Sequence, residues 1–143
     1  MDSEDSYGVK RAEPGEISRL CRLAELVRED LAASGLTVHP TDQFGVPRGD
    51  GGGVEIELDE FDDAGGGVWL HWQLHDRTRD GIRSAIQRGA IDDPLLKASR
   101  QIHEHMMTSI IAMLTALGYE TEPGRDDYRP YAIHVIAHAD VNG

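Results

Sequence analysis

The sequence predicts an α+β fold: an antiparallel β-sheet of four to five strands with two long helices, plus one short helix, packed on one face. Three observations carry that expectation. The stretch from Pro94 to Leu117 keeps a helical period without a breaker, between a proline suited to a first helical position and Gly118, suited to the residue past a helix end. Val54 to Leu58 and Val68 to His75 alternate apolar and polar residues, as half-buried strands do, and a short glycine-rich connector joins them into a hairpin. The segments then run helix, three strands, short helix, long helix, two strands, an order that an antiparallel sheet with its helices on one face accommodates.

Taken in order, Met1 to Pro14 is polar and acidic with no periodic apolar residue, so a disordered arm precedes a single domain of residues 15–143. From Gly15 to Ser34, Ile17, Leu20, Cys21, Ala24, Val27 and Leu31 recur at helical spacing, and Gly35 is the stop. Leu36 to His39 reads as a short strand ended by Pro40. Thr41 to Gly53 is a mobile loop; it leads into a strand and lacks the lysine and hydroxyl of a phosphate-binding loop. In the hairpin, Val54, Ile56, Leu58, Val68, Leu70, Trp72 and Leu74 turn to one face. Asp59, Glu60, Asp62 and Asp63 in its connector lack calcium-loop spacing and read as a solvated acidic turn.

Thr78 to Arg88 is the short helix, carrying Ile82, Ala85 and Ile86, with Arg77, Arg79, Arg83 and Arg88 expected to pair with Asp76, Asp80, Asp92 and Asp93. On the long helix Leu95, Ser99, Ile102, Met106, Ile110, Met113 and Leu117 share a face, widened to about half the cylinder by Leu96, His103, Met107 and Leu114. One sheet face does not cover so wide an arc. A second helix or a second copy of the chain is therefore expected against it. Tyr119 to Glu122 and Tyr131 to His138 complete the strands, the latter with Tyr131, Ile133, Val135 and Ala137 opposite Ala132, His134, Ile136 and His138. The endings LAASGLTVHP from Leu31 and LTALGYETEP from Leu114 echo one another, as a duplicated helix and strand-pair unit or shared helix-stop residues would produce.

At 143 residues the chain fits one domain, and 26 acidic against 14 basic residues give a net charge of -12. That charge repels phosphate backbones and anionic lipid surfaces, so nucleic-acid and membrane binding are disfavoured, and a basic protein surface is attracted. The lone Cys21 excludes an internal disulfide, and the absence of a secretory leader or a long apolar run points to the cytoplasm. There is no serine elbow, no zinc-protease histidine pair and no paired cysteines. His103 falls inside the apolar arc and reads as a core histidine, whereas His105 lies on another helix face.

Chemistry or recognition is expected on the polar face of the sheet, where alternation places Glu55, Glu57, Trp69, His71, Gln73, His75, His134 and His138. Symmetric pairing of the hairpin sets Glu55 opposite His71. Trp69, an outward tryptophan among histidines and glutamates, is the expected anchor of a docking surface. His71 and His75 are about 13 Å apart on a strand and cannot share a metal, so a metal site would need histidines from two strands plus Glu55 or Glu57. The element order and acidity are similar in outline to small bacterial secretion chaperones and to many immunity proteins, although the helix such chaperones carry after the last strand is missing here. The expected function is that of a small acidic soluble binding protein of inhibitor, immunity or chaperone type. It would act on a protein partner with a basic surface, form a homodimer through the 94–117 helix, and need no cofactor or metal. The alternative is a ligand- or metal-dependent protein, an enzyme included, using the histidine and glutamate face.

Overall fold

The computed structural model describes residues 10–40, 51–61, 66–124 and 129–141. Its elements are α1 (Pro14–Ala33), β1 (Val38–Pro40), β2 (Gly53–Asp59), β3 (Gly67–Gln73), α2 (Asp76–Gln87), α3 (Pro94–Ala116), β4 (Tyr119–Pro123) and β5 (Ile133–His138). The five strands form one sheet in the order β1-β2-β3-β5-β4, antiparallel except for the β1–β2 pair. The fold is α+β, as the patterning predicts.

Local chemistry accounts for the helix ends. Pro14 and Pro94 open α1 and α3, where a missing N–H costs nothing, and the Asp93 carboxylate accepts the Leu95 N–H at 2.9 Å. Both helices stop at glycines with positive φ, Gly35 at 105° and Gly118 at 92°. The apolar side of the hairpin (Val54, Ile56, Val68, Leu70) and of β5 (Ile133, Val135) shares one core cluster with Leu20, Leu23, Val27 and Leu31 of α1 and Ile110 and Leu114 of α3. Each such side chain taken fully out of water contributes about 1.5–3 kcal/mol. The Tyr119 hydroxyl donates to Asp30 at 2.7 Å, joining β4 to α1.

Several expectations are corrected. The sheet is mixed, because β1 lies parallel to β2, with the Val54 N–H donating to Thr37 O at 2.9 Å. A Cβ on Gly53 would stand 2.5 Å from that Thr37 carbonyl, so glycine is what admits the approach. The folded part begins ahead of Gly15: Arg11 bridges to Phe61, and the Ala12 N–H donates to Glu60 O at 2.8 Å. The helix-end echo does not extend to equivalent units, since β1 joins its neighbour in parallel and β4 in antiparallel fashion. The expected arm over residues 1–9, most of the Thr41–Gly53 loop, and Asp62 and Asp63 of the acidic turn lie outside the described residues. Of the four arginines expected to pair, Arg79 meets Asp76, Arg83 meets Asp80 at 3.2 Å and Arg88, just past α2, meets Asp93 at 3.6 Å, whereas Arg77 makes no ion pair among the described residues.

Candidate functional site

Alternation along β2 and β3 carries Glu55, Glu57, Asp59, Trp69 and His71 to the face opposite the core, and β5 adds His134 directly across from Trp69. Glu55 is paired with His71 in register, as expected. The histidine nevertheless bonds its diagonal neighbour, with His71 Nε2 2.8 Å from Glu57 Oε1. An ionised carboxylate only accepts, so Nε2 carries the proton of this bond.

Arg129, just ahead of β5, organises this face. Its Nε and Nη2 donate to Glu57 at 3.2 and 2.9 Å, and Nη2 also donates to Asp59 at 3.0 Å. Its guanidinium lies 4.5 Å from the centre of the Trp69 ring, and the far side of the indole stacks on His134 at 4.4 Å with 9° between the planes. The hydrogen bond from His71, joined by those from Arg129, holds the Glu57 carboxyl down at about 2 against the opposing effect of burial. His134 Nδ1 is 3.4 Å from Glu122, and its ring fits over Gly67, where a Cβ would come within 2.6 Å of Nε2.

Glu55 differs from its neighbours. It is 2% exposed, and among the described residues its Oε1 has no hydrogen-bond partner. Burial raises its carboxyl above the usual range, opposed by the charges of His39, His71 and Arg79. Arg79 of α2 likewise keeps a buried Nε without a hydrogen bond among the described residues, although its Nη2 donates to Asp76.

Of the expected site residues, Glu55, Glu57, Trp69, His71 and His134 are brought together, and three are placed elsewhere. Gln73 closes the far end of the hairpin opposite Gly53. His75 lies beyond the strand, because β3 ends at Gln73 and the His75 side chain caps α2, its Nδ1 accepting the Arg77 N–H at 3.0 Å. His138 leaves the face because β5 bulges: Ala137 pairs with Glu120 and Val135 with Thr121, so Ile136 falls between partners and the alternation shifts. The His138 ring instead packs on Tyr119 at 4.4 Å, and its Nε2 donates to Leu117 O at 3.0 Å. Trp69, expected as an outward anchor, is 6% exposed between Arg129 and His134. Arg129, Asp59 and Glu122 lie outside the expected set; Asp59, expected in a solvated turn, is instead held by Arg129, whose one hint in the sequence is a cation ahead of a strand.

Two grooves lie away from this face. One of about 450 Å³ is bordered by Leu36, Trp72, Leu74 and Ile102, the other, of about 490 Å³, by Ile91, Leu96, His103 and Tyr131. Among the described residues no three of the histidines, cysteine and carboxylates stand where they would hold a metal ion, and no helix is long and apolar enough to cross a membrane. No family model, no curated protein and no solved structure matches the chain.

Proposed function

We propose that this is a small acidic interaction protein of inhibitor, immunity or chaperone type, working in the cytoplasm on a partner with a basic surface and self-associating through α3. The observation that carries this reading is on α3. Ala98, Ile102, His105, Ser109, Ala112 and Ala116, alternately four and three residues apart, are all exposed and include no carboxylate, lysine or arginine. In a chain of net charge -12 such a stripe is unusual for a surface meant for water alone. Its small residues allow close helix approach, Ile102 is 40% exposed at its centre, and Met106 and Met113 lie half-buried beside it. The groove between Ile102 and Trp72 continues the surface inward. A second copy, equally charge-free along this stripe, is the occupant that meets no repulsion there.

The polar sheet face supports recognition more than catalysis, because Glu57 and Asp59 are already taken by Arg129 and His71. Its accessible rim, with exposed Glu122 next to His134, extends the acidic field that would steer a basic partner. One observation favours a second reading, a ligand-dependent protein: the unpaired Oε1 of buried Glu55. Light scattering across a dilution series tests the main reading. A dimer mass that Ile102→Glu converts to a monomer with unchanged circular dichroism is expected; a monomer at every concentration would overturn self-association. Catalytic turnover abolished by Glu55→Gln would favour the second reading.

A further inference from the structure

We infer that the groove between the first half of α3 and the turn ahead of β5 is a binding site for a small apolar carboxylate. It has a volume of about 490 Å³ and opens to solvent. That size is in the range that small-molecule sites occupy. Ile91, Leu96, Pro130 and Tyr131 supply apolar walls, and Ile91 is 80% exposed at the rim, an isoleucine left in water where a ligand would cover it.

Two polar groups converge on these walls, and each has a defined role. Arg100 borders the groove and is exposed, and among the described residues no carboxylate lies within ion-pair distance of it. On its own side of α3, Asp93 caps the helix and pairs with Arg88, and the exposed Glu104, four residues on, stands outside ion-pair distance of it. A guanidinium so placed matches a carboxylate with two parallel hydrogen bonds. His103 is held by its Nδ1, which donates to Ser99 O at 2.8 Å. A carbonyl cannot donate, so Nε2 keeps its lone pair and accepts from a hydroxyl or amino group on the ligand.

The wall formed by Tyr131 is built at a conformational cost. Its φ is +61°, the left-handed region that an aromatic residue rarely enters, and it is the one non-glycine residue with positive φ among those described. The ring stacks on His103 at 5.7 Å with 24° between planes, while Gly124 N–H to Ala132 O at 2.7 Å and Ala132 N–H to Arg129 O at 3.2 Å brace the turn. Strain of this kind persists where surrounding structure enforces it, commonly at ligand sites. The turn thus presents an aromatic platform next to a cation. A flat or branched apolar body lies on Tyr131, Leu96 and Ile91, and its carboxylate reaches Arg100.

The site is independent of the proposed self-association, because Arg100 lies roughly 160° around the helix from Ile102. The probe is 3-phenylpropionate, titrated into the full chain and followed by amide chemical shifts, with the neutral 3-phenylpropionamide as comparison. Saturable shifts centred on Arg100, His103 and Tyr131 are expected, with the amide binding at least about tenfold more weakly, the loss of one good charged pair. Arg100→Gln should weaken the carboxylate by a similar factor, and Ile102→Glu should leave its binding unchanged. Absence of saturable shifts up to the solubility limit, shifts that map to the Trp72 groove, or binding indifferent to Arg100→Gln would each overturn the assignment.

Discussion

Arg129 is the residue on which the polar face depends. With 9% of its side chain exposed it meets Glu57, Asp59 and Trp69 together, so its removal leaves two carboxylates facing each other without a cation. Arg129→Met is expected to destabilise the fold by roughly 2–4 kcal/mol, somewhat under the usual penalty of about 3–5 kcal/mol for breaking a buried pair, because Glu57 and Asp59 are 26% and 20% exposed. Urea denaturation measures it, and a loss under about 0.5 kcal/mol would mean the network is ornamental. Glu55 carries the opposite sign. Its carboxyl is raised in the folded protein, so the native state holds that proton more tightly than the unfolded chain does, and the ionised form costs stability as pH rises past the usual carboxylate range. Glu55→Gln should therefore be more stable than the parent at neutral pH, with the gap closing as pH falls into that range. A variant less stable at neutral pH would show that the charge itself is needed. Glu57, held down at about 2, contributes stability that is complete above the ordinary carboxylate range and is lost as pH falls through about 2.

At the scale of elements, single backbone positions decide where side chains go. Gly67 opens β3 with φ of 114°, and a methyl group there would press against the His134 ring at 2.6 Å. Gly67→Ala is expected to displace His134 from Trp69 and to cost at least about 1 kcal/mol, because both the backbone and the contact are unfavourable. The altered Trp69 environment would appear in near-ultraviolet circular dichroism; an unchanged spectrum would mean that the ring contact tolerates the methyl. The bulge at Ile136 acts in the same manner. It turns His138 to Tyr119 and the Leu117 carbonyl, where it supports the exit from α3 rather than the polar face.

For the molecule as a whole, α3 has two sides, one in the core and one exposed. Leu114 is fully buried and Ile110 is 1% exposed, both in the cluster shared with α1 and the sheet, whereas Ile102 is 40% exposed. Leu114→Ala should cost about 2–5 kcal/mol of folding stability through the cavity it leaves. Ile102→Ala should change the monomer fold by about 0.5 kcal/mol or less while weakening the proposed dimer, so stability measured at low concentration separates the two. Equal losses for both variants at every concentration would remove the case for an interface on this helix.

The sequence by itself determined the elements and, for α1 and the β2–β3 hairpin, the side that faces the core. Periodicity, flanking prolines and helix-stop glycines are local properties, written in neighbouring residues, and Pro94, Gly118 and the alternation of Val54, Ile56 and Leu58 suffice to read them. Even the pairing of Glu55 with His71 followed, since a short connector leaves a hairpin little choice of register. Tertiary structure decided the rest. Arg129 meets Glu57 across 72 residues of chain, and nothing in its local pattern states that distance. The parallel placement of β1 depends on where α1 deposits the chain and on a glycine that admits the Thr37 carbonyl. The burial of Trp69 depends on two side chains brought from beyond its own hairpin, and the bulge that removes His138 leaves no mark in alternation alone. Short-range geometry is encoded one residue after another, whereas the site arises from contacts whose partners become neighbours only once the whole sheet has closed.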